Sequence, residues 1–138
     1  MRSILIVAAV VAVSPAWAKG PSFEEFRYSA AEVAGVGARD CGVLHLRQTS
    51  HGALDCAKDA VSTNQPFLVI VQRRGIDSEI FSALVRAKTG EFWNLAWDSD
   101  IGGGSRTGSS LTKTRCARIV FEARLEPYDS IQCITDTR

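Results

Sequence analysis

The sequence predicts an exported α+β domain, with N-terminal helices packed on one face of a four- to five-stranded antiparallel meander sheet. Three observations predict it. An apolar leader ends at a small-residue cleavage pattern, and all four cysteines follow that leader. Helical periodicity in the first half then gives way to β-branched and alternating runs after Pro66.

The leader has three parts. Met1-Arg2 is positive, Ile4 to Val13 is apolar and uncharged, and Ala16-Trp17-Ala18 is an A-x-A site behind the helix breaker Ser14-Pro15. Residues 1–18 are therefore expected to be a signal peptide cleaved after Ala18. The apolar run is about half the roughly 20 residues that a spanning helix needs. No cysteine lies near the cut to take lipid, the first being Cys41. The expected product is secreted or periplasmic, with no membrane anchor after cleavage. Residues 19–40 read as an amphipathic lead-in, and 41–138 as a disulfide-bonded α+β domain.

Charge narrows the partners. The chain carries 16 Lys+Arg against 15 Asp+Glu, and removing Arg2 with the leader leaves the two counts equal. A binder of nucleic-acid backbone needs a basic excess, so no nucleic-acid partner is expected. Docking on anionic membranes is disfavoured for the same reason.

Cys41, Cys56, Cys116 and Cys133 form an even set in a short exported chain, which reads as two disulfides. Four cysteines allow three pairings. Cys41–Cys56 and Cys116–Cys133 are favoured because short loops close at the lowest entropic cost. A zinc site would call for close C-x-x-C-type spacing, which is missing.

In the lead-in, Ser22-Phe23-Glu24-Glu25 matches a capping box. Phe23, Phe26, Ala30 and Val33 then share a helical face, ended by Gly35 and Gly37. Cys41 to Leu46 reads as extended. Thr49 or Ser50 is the expected cap of a second helix through about Ser62, with Leu54, Ala57 and Val61 on one side and Asn64 and Pro66 closing it. Phe67–Arg73, Glu79–Ala87 and Glu91–Trp97 read as strands. Between the last two, a three-residue loop with left-handed Gly90 pairs Val85 with Trp93, Ala83 with Leu95 and Phe81 with Trp97. That register puts every apolar pair on one face, and a one-residue slip would mix the faces. This Trp/Phe/Val/Leu face is expected to meet the helix around Leu54 and Val61. Residues 98–110 read as a long polar loop. Ala117–Ala123 and Ile131–Thr135 read as closing strands that bring Cys116 near Cys133.

Alternating strand direction places the 75–78 turn and the 98–104 loop at one end of the sheet. Arg73, Arg74, Asp77, Asp98, Asp100, Gly102 and Gly103 are therefore the candidate binding residues. Asp98 and Asp100 are spaced to chelate a hard cation, but the third acid and terminal Glu of a calcium loop are missing. Asp-Ser recurs at 77–78, 98–99 and 129–130, always at a strand end, which reads as turn chemistry with Arg73 and Arg74 in salt bridges. Gly102-Gly103-Gly104 precedes no helical pattern and so lacks the setting of a phosphate cradle. His45 and His51 accompany no G-x-S-x-G elbow. Trp93 and Trp97 share one strand face, and the register places them in the core rather than on a stacking platform.

Cys41, Cys56-Ala57, Pro66-Phe67, Gly75-Ile76-Asp77-Ser78, Trp97-Asp98-Ser99-Asp100 with Gly102-Gly103, and Cys116 form a pattern across most of 41–116. On these residues the chain resembles small exported bacterial proteins with paired cysteines. The resemblance implies no activity, ligand or catalytic residue. The expected function is a non-catalytic binding or inhibitor-type module without a cofactor, acting on an envelope protein or glycan. The alternatives are a metal-assisted hydrolase using Asp77, Asp98 and Asp100, and a structural envelope component.

Overall fold

The computed structural model describes residues 20–47, 51–102, 108–122 and 130–136. The expected signal peptide, Thr49, Ser50, Gly103 and Gly104 lie outside them.

Helix α1 (Phe23–Ala34) starts at the expected capping box. Ser22 Oγ accepts from the Glu25 N–H at 3.2 Å, and the Glu25 carboxylate accepts from the Ser22 N–H at 2.5 Å. Gly35, at φ 86°, ends the helix in a conformation that side-chain-bearing residues avoid. Strand β1 (Arg39–Leu44), helix α2 (Gly52–Ser62) and strand β2 (Phe67–Arg73) follow. The residue before α2 is His51, which makes no side-chain cap. Asn64, at φ 55°, turns the chain out of the helix.

β1 and β2 run parallel, joined by the α2 crossover that parallel neighbours need. Strands β3 (Ile80–Arg86), β4 (Phe92–Asp98) and β5 (Ser110–Cys116) continue antiparallel, giving the order β1-β2-β3-β4-β5. The sheet is thus mixed rather than an antiparallel meander throughout. The β3–β4 register is the expected one, with Phe81 opposite Trp97, Ala83 opposite Leu95 and Val85 opposite Trp93. Gly90 has φ 90°, and the Ala87 N–H donates to the Glu91 carbonyl at 2.9 Å.

Two expectations are corrected after residue 98. Ser110–Cys116 is a further strand, its first residue falling in the expected 98–110 loop and the rest in 111–116, where no element is expected. β6 (Arg118–Phe121) and β7 (Ile131–Ile134) pair with each other, but as a separate two-stranded sheet.

The helices also do not share a face. α1 buries Phe26, Ala30 and Ala34 against Leu68, Ile70, Phe81, Ala83, Val85, Leu95 and Trp97. On the opposite side, α2 buries Leu54, Ala57 and Ala60 with Phe67, Val69, Val71 and Leu84, and Ile119 and Ile131 of the β6–β7 hairpin complete that layer. The tryptophan face therefore meets α1, not Leu54 and Val61. The physical reason lies in β2. Phe67 to Val71 is apolar at every position, and all five residues are buried. A strand without alternation is covered on both faces. Within residues 20–40, Phe26, Ala30 and Ala34 are fully buried, and β1 begins at Arg39.

Both disulfides join near neighbours in sequence, Cys41–Cys56 and Cys116–Cys133, with Cα atoms 5.5 and 5.4 Å apart. They fit an oxidising, extracellular or periplasmic compartment. No helix among the described residues is long and apolar enough to cross a membrane.

Candidate functional site

The antiparallel β3–β4 pair sets the geometry of the candidate end. Ile80 lies opposite Asp98, so the turn before β3 and the turn after β4 emerge side by side. Two hydrogen bonds join them. The Glu79 N–H donates to Ser99 Oγ at 2.9 Å, and the Ser99 N–H donates to the Glu79 carbonyl at 3.0 Å. Gly75 lets the first turn close tightly, since a Cβ there would sit 2.2 Å from the Ser78 carbonyl oxygen.

The candidate residues divide into separate roles. Asp98 accepts from the Asp100 N–H at 2.9 Å through Oδ1, which is Asx-turn chemistry. Asp77 is exposed, while Asp98 and Asp100 are half-buried. Among the described residues, no three His, Cys, Asp or Glu side chains gather where they could hold a metal ion. Arg73 extends over the α2 side of the sheet. Its Nη2 donates to the Ile131 carbonyl at 3.0 Å and its Nε to Ser82 Oγ at 3.4 Å. Arg73 thus ties the hairpin to the sheet. Arg74 and Gly102 are exposed at the turn end.

The other reactive side chains lie elsewhere. His45 Nδ1 is 3.3 Å from Gln72 Oε1, and its ring meets Phe81 edge-on. His51 precedes α2, and every cysteine is in a disulfide. Trp97 is buried and donates from Nε1 to the Pro21 carbonyl at 2.7 Å. Trp93 is half-buried, with Lys113 Nζ 4.2 Å from its ring centre.

Sequence reasoning missed the apolar part of this end. Ile76 is 98% exposed and Ile101 62%. Each stands alone among turn residues, in Gly75-Ile76-Asp77 and Asp100-Ile101-Gly102. The available signal was an aliphatic residue with no periodic partner. A groove was missed as well. It is open, about 630 Å³ in volume, and lined by Pro21, Glu24, Glu25, Tyr28, Ser29 and Leu111.

No protein-family model matches the chain, and no curated protein and no solved structure matches it either.

Proposed function

We propose that this protein is an exported, non-catalytic binding module that engages an envelope protein through the 75–78 and 98–102 turns. The observation that carries this reading is the exposure of Ile76 and Ile101 on adjoining turns. Burying an isoleucine contributes about 1.5–3 kcal/mol, so two of them leave a substantial apolar contact to be made. Arg74, Asp77, Asp98 and Asp100 lie in or beside the same two turns. An apolar centre with a polar rim is the usual anatomy of a protein interface.

A protein partner suits this surface better than a glycan. Sugars favour open aromatic faces, and here Trp97 is buried and the Trp93 ring lies beside Lys113. The two disulfides support action outside the cytoplasm.

The test is site-specific photocrosslinking of the mature protein in intact cells, with the probe at 76, at 101 or at Lys58 on exposed α2. One common adduct at 76 and 101, absent at 58 and lost in the Ile76→Ser/Ile101→Ser variant with the probe at 77, is the expected result. Equal labelling at all positions, or an adduct indifferent to the serine variant, would remove the basis for this reading.

A further inference from the structure

We propose that the outer edge of β5, with the groove beside it, takes up an extended segment of another protein as an added strand. In this arrangement a basic side chain of the segment faces Glu24 and Tyr28, and acidic side chains face Lys113 and Arg115. The site is independent of the Ile76/Ile101 contact.

β5 is the last strand of the main sheet, and among the described residues it pairs only with β4. Its seven residues pair without a register shift, and Thr112 to Arg115 are exposed. Such an edge offers main-chain donors and acceptors to an incoming strand. The opposite edge is a poorer template. β1 is irregular between Asp40 and Val43, with Gly42 at φ 80°, and Cys41 is bridged to α2.

Side chains supply selectivity. Leu111, Lys113 and Arg115 alternate onto the α1 side of the sheet, opposite Trp97, Leu95 and Trp93. Leu111 forms part of the groove that Glu24, Glu25 and Tyr28 complete. The edge is therefore acidic at its start and basic at its end. Lys113 is held beside Trp93, and Arg115 Nη2 lies 3.1 Å from a Glu91 carboxylate oxygen. Both contacts keep the cations on the α1 side. Side chains of an added strand recur every second residue on that side. The complementary segment thus reads K-x-E-x-E or, in the opposite direction, E-x-E-x-K.

The same charges argue against a second copy of this chain. Antiparallel self-pairing centred on Lys113 sets it against itself, and centring on Thr114 sets Lys113 against Arg115. Like charges directly opposite destabilise a strand pair.

The experiment is fluorescence anisotropy with ten-residue peptides of both charge orders, using Thr and Val at the remaining positions. One order is expected to bind with micromolar affinity. Lys113→Glu/Arg115→Glu should weaken it at least about tenfold, and changing the peptide glutamates to lysine should restore it. Circular dichroism checks that the variant is folded, and Leu111→Pro gives a second, charge-neutral block of the edge, because the hydrogen-bonded β4–β5 pairs are the even-numbered residues of β5 and the Leu111 N–H faces outward. N-methylation of alternate peptide amides should abolish binding in one frame only, because an added strand turns every second N–H toward the edge. Ile76→Ser/Ile101→Ser should leave the affinity unchanged. Failure of both orders at millimolar concentration, equal binding by the charge-reversed variant, or equal loss in both methylation frames would each overturn the proposal. So would a dimer in solution that crosslinks through position 113.

Discussion

The two layers that cover the sheet are held by different means. On one side, α1 brings aromatic rings onto aromatic rings. Phe23 lies 4.6 Å from Phe81, 5.5 Å from Trp97 and 5.6 Å from Phe26, centre to centre. No disulfide reaches that layer. On the other side, α2 offers Leu54, Ala57 and Ala60, and the hairpin offers two strands of four residues each. Small side chains remove little apolar area from water, and stabilisation scales with that area. Each element of this second layer carries a disulfide, Cys41–Cys56 on α2 and Cys116–Cys133 on the hairpin. Covalent links stand on the side that lacks the ring-on-ring contacts of Phe23, Phe26, Phe81 and Trp97.

The largest effect should come from the aromatic side. Phe26 is fully buried between α1 and the sheet. Phe26→Ala should cost about 3–5 kcal/mol, measured by urea unfolding of the oxidised protein. A smaller loss, under about 1.5 kcal/mol, would mean that the α1 layer tolerates repacking and that the contrast between layers is overstated. The next effect belongs to the other side. Cys41→Ser/Cys56→Ser opens a loop of sequence separation 15 and should cost about 3 kcal/mol by the chain-entropy account. Hydrogen exchange sharpens the comparison. Amides of α2 should lose protection before those of α1 in the double serine variant. Uniform loss across both helices would show that the layers unfold as one unit.

Much of the architecture was legible because local chemistry agreed with the tertiary fold. The capping box at Ser22 and Glu25, Gly90 in the β3–β4 turn and the apolar pairs beside it all specify their own geometry. Layering was harder to read. Phe67–Val71 carries the two-sided signature, but periodicity alone does not say which helix covers which face. β5 was hidden for another reason. In Ser-Leu-Thr-Lys-Thr-Arg-Cys only Leu111 and Cys116 are apolar, so an edge strand looks like a polar loop. The candidate site shows the same division. Strand alternation brought Asp77, Asp98 and Asp100 to one end of the sheet. It could not show that Asp98 would bond the Asp100 N–H, or that Arg73 would turn toward Ile131.

Two smaller effects concern the start of α1, where the aromatic layer is anchored. A Cβ on Gly20 would come within 1.9 Å of the Ser109 carbonyl oxygen. Gly20→Ala should therefore displace Pro21, whose carbonyl accepts from Trp97 Nε1 and Ser109 Oγ at 2.7 and 2.5 Å. The expected cost is about 2 kcal/mol, with a change in tryptophan fluorescence as Trp97 loses its partner. A stability loss without that change would place the strain elsewhere in the chain.

The smallest effect tests the capping box itself. Ser22→Ala should cost about 1 kcal/mol. The Ser22 N–H, and secondarily its hydroxyl, hold the Glu25 carboxyl below its ordinary pKa. A carboxyl lowered in the folded state stabilises above its unfolded pKa, and that contribution is lost as pH falls through the folded value. Melting temperatures of wild type and Glu25→Gln should therefore differ at neutral pH and converge in acid, below the ordinary carboxylate range. Because Cys41–Cys56 and Cys116–Cys133 do not titrate, the acid-dependent part should appear as fraying of α1, with α2 and the hairpin keeping their protection. Acid fraying of α2 first would reverse the assignment of which layer depends on non-covalent contacts alone.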